Sequence, residues 1–275
     1  MTASFEPATV DALIQAVLGG AFGADPAAVP VIGVFWVAQS TRFPGTSQTY
    51  RNYYLLLRAG AHFGACCVER NQFDASIADE LAGSTIADLL HDARLPVRIA
   101  ALDAYLAGQR PHDADGRAQR VMLPFGDPPT RAVARDEAIV QLLRIAPGTK
   151  VGLIGVVNPL VAAIKAQGGV CLPCDFNMER TQDGQPVVAD MTGVLEEADM
   201  LLVTGMTLGN GSFDRIVDTA RRRDVPLVAY AQTGSAILPQ FLGHGLTALS
   251  SEPFPFSQFS GDPTPIYLYR HDHGG

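Results

Sequence analysis

EADMLLVTGMTLGNGSFDRI, residues 197–216, sets a short apolar run against a turn rich in glycine and hydroxyl groups, followed by an amphipathic stretch. A short apolar run bounded by turn signals reads as a buried strand, here 199–204 (DMLLVT), and the segment 212–223 reads as a helix packed back onto it. The same alternation extends both ways. Upstream lie a helix over 136–145, a strand over 150–156 (KVGLIGV), a helix over 159–167, a strand over 170–175 (VCLPCD) and a short helical piece ending at 196–198. Downstream lie a strand over 226–230 (PLVAY), a helix over 235–242 and a last strand near 246–249. Strands that alternate with helices and carry apolar residues on both faces predict a Rossmann-like α/β domain, a parallel sheet covered on each side with right-handed crossovers.

The first half has a different grammar. Val10, Leu13, Ile14, Val17 and Leu18 recur at helical spacing within 9–22. Three β-rich runs follow, 31–39 (VIGVFWVAQ), 50–58 and 61–70, the first two separated by a loop with Pro44 and Gly45, the last two joined at Ala59 and Gly60. Helices are expected over 77–91 and over 96–107, where Pro96 suits a helix start. Strands first and helices after mark an α+β unit. The expected organisation is therefore an α+β domain over 1–112, a connector over 113–135 rich in Pro, Gly, Asp and Arg, the Rossmann-like domain over 136–258 and a tail over 259–275. Part of the connector, 121–125, could pair with a sheet edge.

Composition bounds the function. The chain has 275 residues, 47% hydrophobic and 17% charged, enough apolar material for two cores. Its net charge is −8, and the one basic cluster, Arg221–Arg223, closes a helix whose negative end it complements. Nucleic acid is not an expected partner. No apolar run approaches the ~20 residues that span a bilayer, and the N-terminus lacks a basic leader, which points to the cytoplasm. The expected partner is a small molecule, not a membrane. A homodimer is compatible with the sequence, which does not fix the oligomeric state.

Ligands of open parallel sheets bind beyond the carboxyl ends of the strands. Four loops qualify. In GVVNP (155–159), Gly155, Asn158 and Pro159 occupy the place of a dinucleotide turn without its glycine fingerprint, and a plain turn reads equally well. Asp175 follows the second strand about 20 residues on, where a ribose-binding carboxylate sits, or where a turn-capping Asp would. Thr204, Gly205, Thr207, Leu208, Asn210, Gly211 and Ser212 form the densest polar, glycine-bearing loop, with Ser212 placed to cap the following helix. Gln232 and Thr233 precede Gly234 and Ser235 at another strand end. Cys171 and Cys174 form a C-x-x-C inside a strand, so their thiols point to opposite faces, and no second pair completes a zinc site. Asn52 and Tyr54 share one strand face, Arg51 and Tyr53 the other; one face could line a cleft and hold a cation, or simply pack. No catalytic residue is assigned; Asp103, Glu69 and Asp175 are guesses from position for a general base. His271 and His273 form an H-x-H near the end of the chain, a metal-binding pattern and also a common feature of disordered tails.

Several stretches resemble the bacterial and archaeal proteins described as heavy-metal chelation proteins: VGLIGVVNPLV (151–161), residues 197–216 and 232–239, and more loosely 35–41, 64–66, LAGSTIADLL (81–90) and PVRIAALDAYLAG (96–108). The resemblance implies an enolase-N-terminal-like domain paired with a Rossmann-like domain, a cleft between them, and a role in handling a metal chelate. Asp103 stands where such proteins usually carry Asn. The leading expectation is a protein that binds or acts on a metal chelate or metallophore-like compound in the inter-domain cleft. The alternatives are an enzyme, such as a transferase, using S-adenosylmethionine or a nucleotide as cofactor, and a non-catalytic ligand-binding protein.

Overall fold

The structure is a computed structural model and describes residues 6–42 and 49–271. The loop at Pro44 and Gly45, and His273, lie outside the described residues.

Chain order begins with α1 (Val10–Leu18), capped by the Thr9 hydroxyl accepting from Ala12 N–H at 3.1 Å. Strands β1 (Val31–Thr41), β2 (Tyr50–Ala59) and β3 (His62–Val68) form an antiparallel meander. The helix expected over 77–91 is two helices, α2 (Ser76–Leu81) and α3 (Ile86–Leu90). Gly83 turns the chain at φ 86°, and Thr85 with Asp88 forms a reciprocal capping box that starts a new helix. Helix α4 (Leu95–Gln109) is buried almost all round, as its apolar composition requires, and packs on β3 and β2.

The segment 113–135 is not a bare connector. It contains β4 (Ala118–Met122) and the first turns of α5 (Pro128–Val140), whose N-cap Asp127 accepts from Thr130 N–H at 3.0 Å. The alternating half then runs β5 (Lys150–Ile154), α6 (Asn158–Ala166), β6 (Val170–Cys174), α7 (Thr192–Glu197), β7 (Met200–Thr204), α8 (Met206–Gly209), α9 (Phe213–Arg223), β8 (Leu227–Ala231) and β9 (Ala248–Ser251). The helix expected over 235–242 is only a 3-10 turn, Leu238–Phe241. The tail adds β10 (Pro265–Arg270), which pairs antiparallel with both β9 and β4. The seven-stranded sheet has the order β4-β10-β9-β8-β7-β5-β6, with β9 to β6 mutually parallel. The chain reverses its direction of travel across the sheet between β5 and β7. Cys171 and Cys174 fall in different core layers, as strand alternation requires.

The two halves share one core: Leu55, Leu57 and Leu102 belong to the same buried cluster as Leu208, Phe213 and Leu249. At its centre Asp103, 1% exposed on α4, accepts from Ala65 N–H of β3 at 2.9 Å and from Ala236 N–H at 2.8 Å. The Gly234 and Ile237 amides also face it. Burial pushes the Asp103 carboxyl from 3.8 up to about 7, against the pull of those amides. The folded chain therefore holds this proton more tightly than the unfolded chain. Its contribution to stability falls as pH rises from 3.8 to about 7 and is constant above. Buried His112, stacked on Tyr267 and bonded to Tyr269 Oη at 2.6 Å, acts oppositely. Burial lowers it from 6.5 to about 4, so its contribution rises with pH across that interval. We predict that the stability difference between wild type and Asp103→Asn, read from urea midpoints, shrinks as pH rises across Asp103's window, with His112 cancelling between the two proteins. A pH-independent difference would contradict the assignment.

Candidate functional site

Parallel pairing brings the carboxyl ends of β7, β8 and β9 to one edge, and the meander lies across it. Between them is a cavity of about 160 Å³. From the meander come Asn52 and Tyr54 of β2 and Cys67 of β3. From the strand ends come Thr204, Tyr230, Gln232, Thr233, Ser250 and Glu252; Met206 closes one side and α5 supplies Arg135, Asp136 and Ile139.

Two buried carboxyl groups, Asp136 and Glu252, are arranged around one partly buried cation, Arg135. Arg135 donates from Nε and Nη2 to one oxygen of Asp136, at 3.0 and 2.9 Å. Burial works against the Arg135 charge, but the Asp136 and Glu252 carboxylates outweigh it and raise its pKa. Burial likewise lifts the Asp136 carboxyl, with Arg135 restraining the rise. Glu252, 2% exposed, accepts from Gln232 Nε2 at 2.8 Å and from Ser257 N–H. Gln232 and Gln258 exchange reciprocal amide bonds at 2.8 and 3.0 Å, and Gln258 Nε2 donates to Tyr54 Oη at 3.3 Å. Burial raises the Tyr54 and Tyr230 phenols above their ordinary range and the Cys67 thiol to about 12, so all three stay protonated at neutral pH.

The strap that carries Ser257 and Gln258 is anchored from α5. Arg131, fully buried, donates to the carbonyls of Ser257 (3.1 Å), Pro124 (2.7 Å) and Asp262 (2.5 Å) and to the Thr264 hydroxyl. All four acceptors are neutral, so this guanidinium acts as a backbone clamp. One helical turn later, Arg135 reaches the cavity from the same helix.

Residues 138–251 match the model of the DUF364 family, described as "Putative heavy-metal chelation". Two solved DUF364 proteins, both of unknown function, share the fold of this chain. The one from Desulfitobacterium hafniense is 14% identical, covers 94% of this chain and 97% of its own, and has a TM-score of 0.62. The one from Pyrococcus horikoshii is 14% identical, covers 94% of this chain and 100% of its own, and has a TM-score of 0.57. No curated protein matches the sequence.

Of the residues expected from sequence, Tyr54, Thr204, Gln232 and Thr233 line this cavity, and Asn210 borders a neighbouring one. The others have structural work. Asp175 spends its two oxygens on Val156 N–H (2.8 Å) and Asn177 N–H (2.8 Å). Asn158 Oδ1 accepts from Gln182 N–H at 2.8 Å, and Pro159 fills the first turn of α6. Thr207 donates to the Thr204 carbonyl at 2.8 Å, and Leu208 is core. Ser212 does not cap α9; its hydroxyl donates to Asn210 Oδ1 at 2.6 Å. The loop glycines serve contact between protein segments: a Cβ on Gly209 would sit 2.6 Å from Cys66 Sγ, one on Gly205 would meet Thr233 and Ala231, and Gly211 turns the chain at φ 77° beside Leu95. Gly155, at φ 86°, donates to the Cys174 carbonyl at 2.9 Å and accepts from Tyr230 Oη at 2.5 Å. The space above it is filled by the Thr204 side chain, where a dinucleotide turn would admit a pyrophosphate. Asp103 faces backbone amides, not the cavity, and Glu69 lies outside it.

Arg135, Asp136, Tyr230 and Glu252 were not among the expected site residues. The strand-end rule applied to β9 reaches Glu252, and Tyr230 is the penultimate residue of β8. Arg131 and Arg135 show a signal too, an i,i+4 pair within a segment read mostly as connector. We predict that Gly155→Ala destabilises the chain by roughly 2–4 kcal/mol, from a left-handed backbone and a clash with Thr204. Thr204→Ser should recover part of that loss. A double-mutant cycle by chemical denaturation checks it; strict additivity would refute the contact.

Proposed function

We propose that this protein binds a small zwitterionic molecule, an aminocarboxylate of the kind that chelates metals, in the cavity between the meander and the strand ends. One observation carries the reading. Several polar groups that line the cavity make no hydrogen bond to another described residue and stay open to the cavity space: Asp136 Oδ2, Arg135 Nη1, the Asn52 amide, and the Ser250 and Thr233 hydroxyls. Asp136, Ser250 and Thr233 are all more than nine-tenths buried. Polar groups that open onto an enclosed space and are not spent on the protein itself are available to a polar guest or ordered water.

The charge pattern selects the guest. One guanidinium faces two carboxylates, so the cavity favours a ligand with an ammonium or a bound cation and accepts a carboxylate beside it. Among the described residues no three His, Cys, Asp or Glu side chains gather to hold a metal, so a metal would arrive with its chelator. That suits a metallophore-like compound. An adenosine cofactor draws less support, because the cavity is small for one and Asp175 is committed to its own loop.

Titration calorimetry with iminodiacetate, free and as its Zn(II) complex, tests the reading. We expect saturable binding, weakened about tenfold or more by Arg135→Met and by Glu252→Gln, as for lost charge-assisted contacts. Absence of binding by either form contradicts it.

A further inference from the structure

A second cavity, of about 280 Å³, lies on the other side of Cys67 and Met206, which line both spaces. Its rim is the turn after β3. Asn71 adopts φ 67°, a left-handed conformation uncommon for a residue other than glycine. The turn is closed by Gln72 N–H donating to the Glu69 carbonyl and by Gln72 Oε1 accepting from Glu69 N–H, both at 3.1 Å. Exposed Glu69 and Arg70 line this cavity together with Asn210, and neither enters an ion pair among the described residues.

Each cavity thus carries one guanidinium and at least one carboxylate: Arg135 with Asp136 and Glu252 inside, Arg70 with Glu69 outside. The partition between them is a protonated thiol and a thioether. Methionine has three side-chain torsions and repacks readily. The inner cavity alone falls short of the roughly 300–1,000 Å³ of common small-molecule sites, and the two joined reach it. We propose that the two cavities are the two ends of one binding site, and that its ligand is an elongated molecule with an amino-acid head at each end, passing between Cys67 and Met206. The proposal rests on the zwitterion reading of the inner cavity. The inner head sets its carboxylate toward Arg135 and its ammonium toward Asp136 and Glu252; the outer head pairs with Arg70 and Glu69.

The test compares two probes by calorimetry on the full chain: 2,6-diaminopimelate, with two heads, and 2-aminohexanoate, with one, beside iminodiacetate. We expect the two-headed probe to bind about tenfold tighter than the one-headed probe, the order expected from added charge-assisted contacts. The ratio should fall toward one in the exposed double variant Glu69→Gln/Arg70→Met, and also in Met206→Trp, which fills the passage. Equal affinities for the two probes, with iminodiacetate still bound, overturn the second subsite and leave the inner site standing. A ratio unchanged by the double variant overturns the placement of the outer head. Failure of all three probes to bind overturns both readings.

Discussion

A buried carboxyl group with no cation beside it among the described residues ties this molecule together. Asp103 sits inside the shared core and faces backbone N–H groups on every bonded side, one from the meander and one from the turn after β8. Ala65, between those two strands of contact, also accepts from Gly234 N–H at 3.0 Å, so meander and turn are joined twice at one point. Leaving those amides unpaired in the core would cost about 1–3 kcal/mol each. The same joint sets the position of Gln232 and Thr233, a few residues before Ala236, and of Cys67, two residues after Ala65. Cavity walls from both halves are thus held by a contact that lies behind them.

In front of that joint the chemistry changes. The core ends in a layer of polar groups that only partly satisfy one another. Arg135, Asp136 and Glu252 are held by α5 and β9, while the strap clamped by Arg131 supplies Ser257 and Gln258. The binding site proposed above would draw its donors and acceptors from a helix, strand ends and a clamped strap, groups already held before a ligand arrives, which would lower the ordering cost of binding.

The parallel sheet was legible because its strands are short apolar runs punctuated by glycine and polar turns: Lys150–Ile154, Met200–Thr204 and Leu227–Ala231 need no distant partner to be recognised. The edge was not. β10 and β4 pair across more than 140 residues of chain, and local pattern carries no trace of such pairing beyond the β-rich run near Val121. The glycines of residues 204–212 and 232–235 correctly marked where the halves meet, but they mark contact between backbones more than contact with a guest. The groups facing the cavity instead came from a helix whose sequence alternates charge and alanine, Arg131 to Ala138, and so resembles a solvated face until the fold buries it.

The joint at Asp103 can be watched directly. Amide hydrogen exchange at Ala65 and Ala236 reports the two ends of its hydrogen bonds. Both amides should open together, with a common free energy close to that of global unfolding. Rapid exchange at Ala236 while Ala65 stays protected would mean that the turn moves independently of the meander, and the cavity between them would lose its fixed wall.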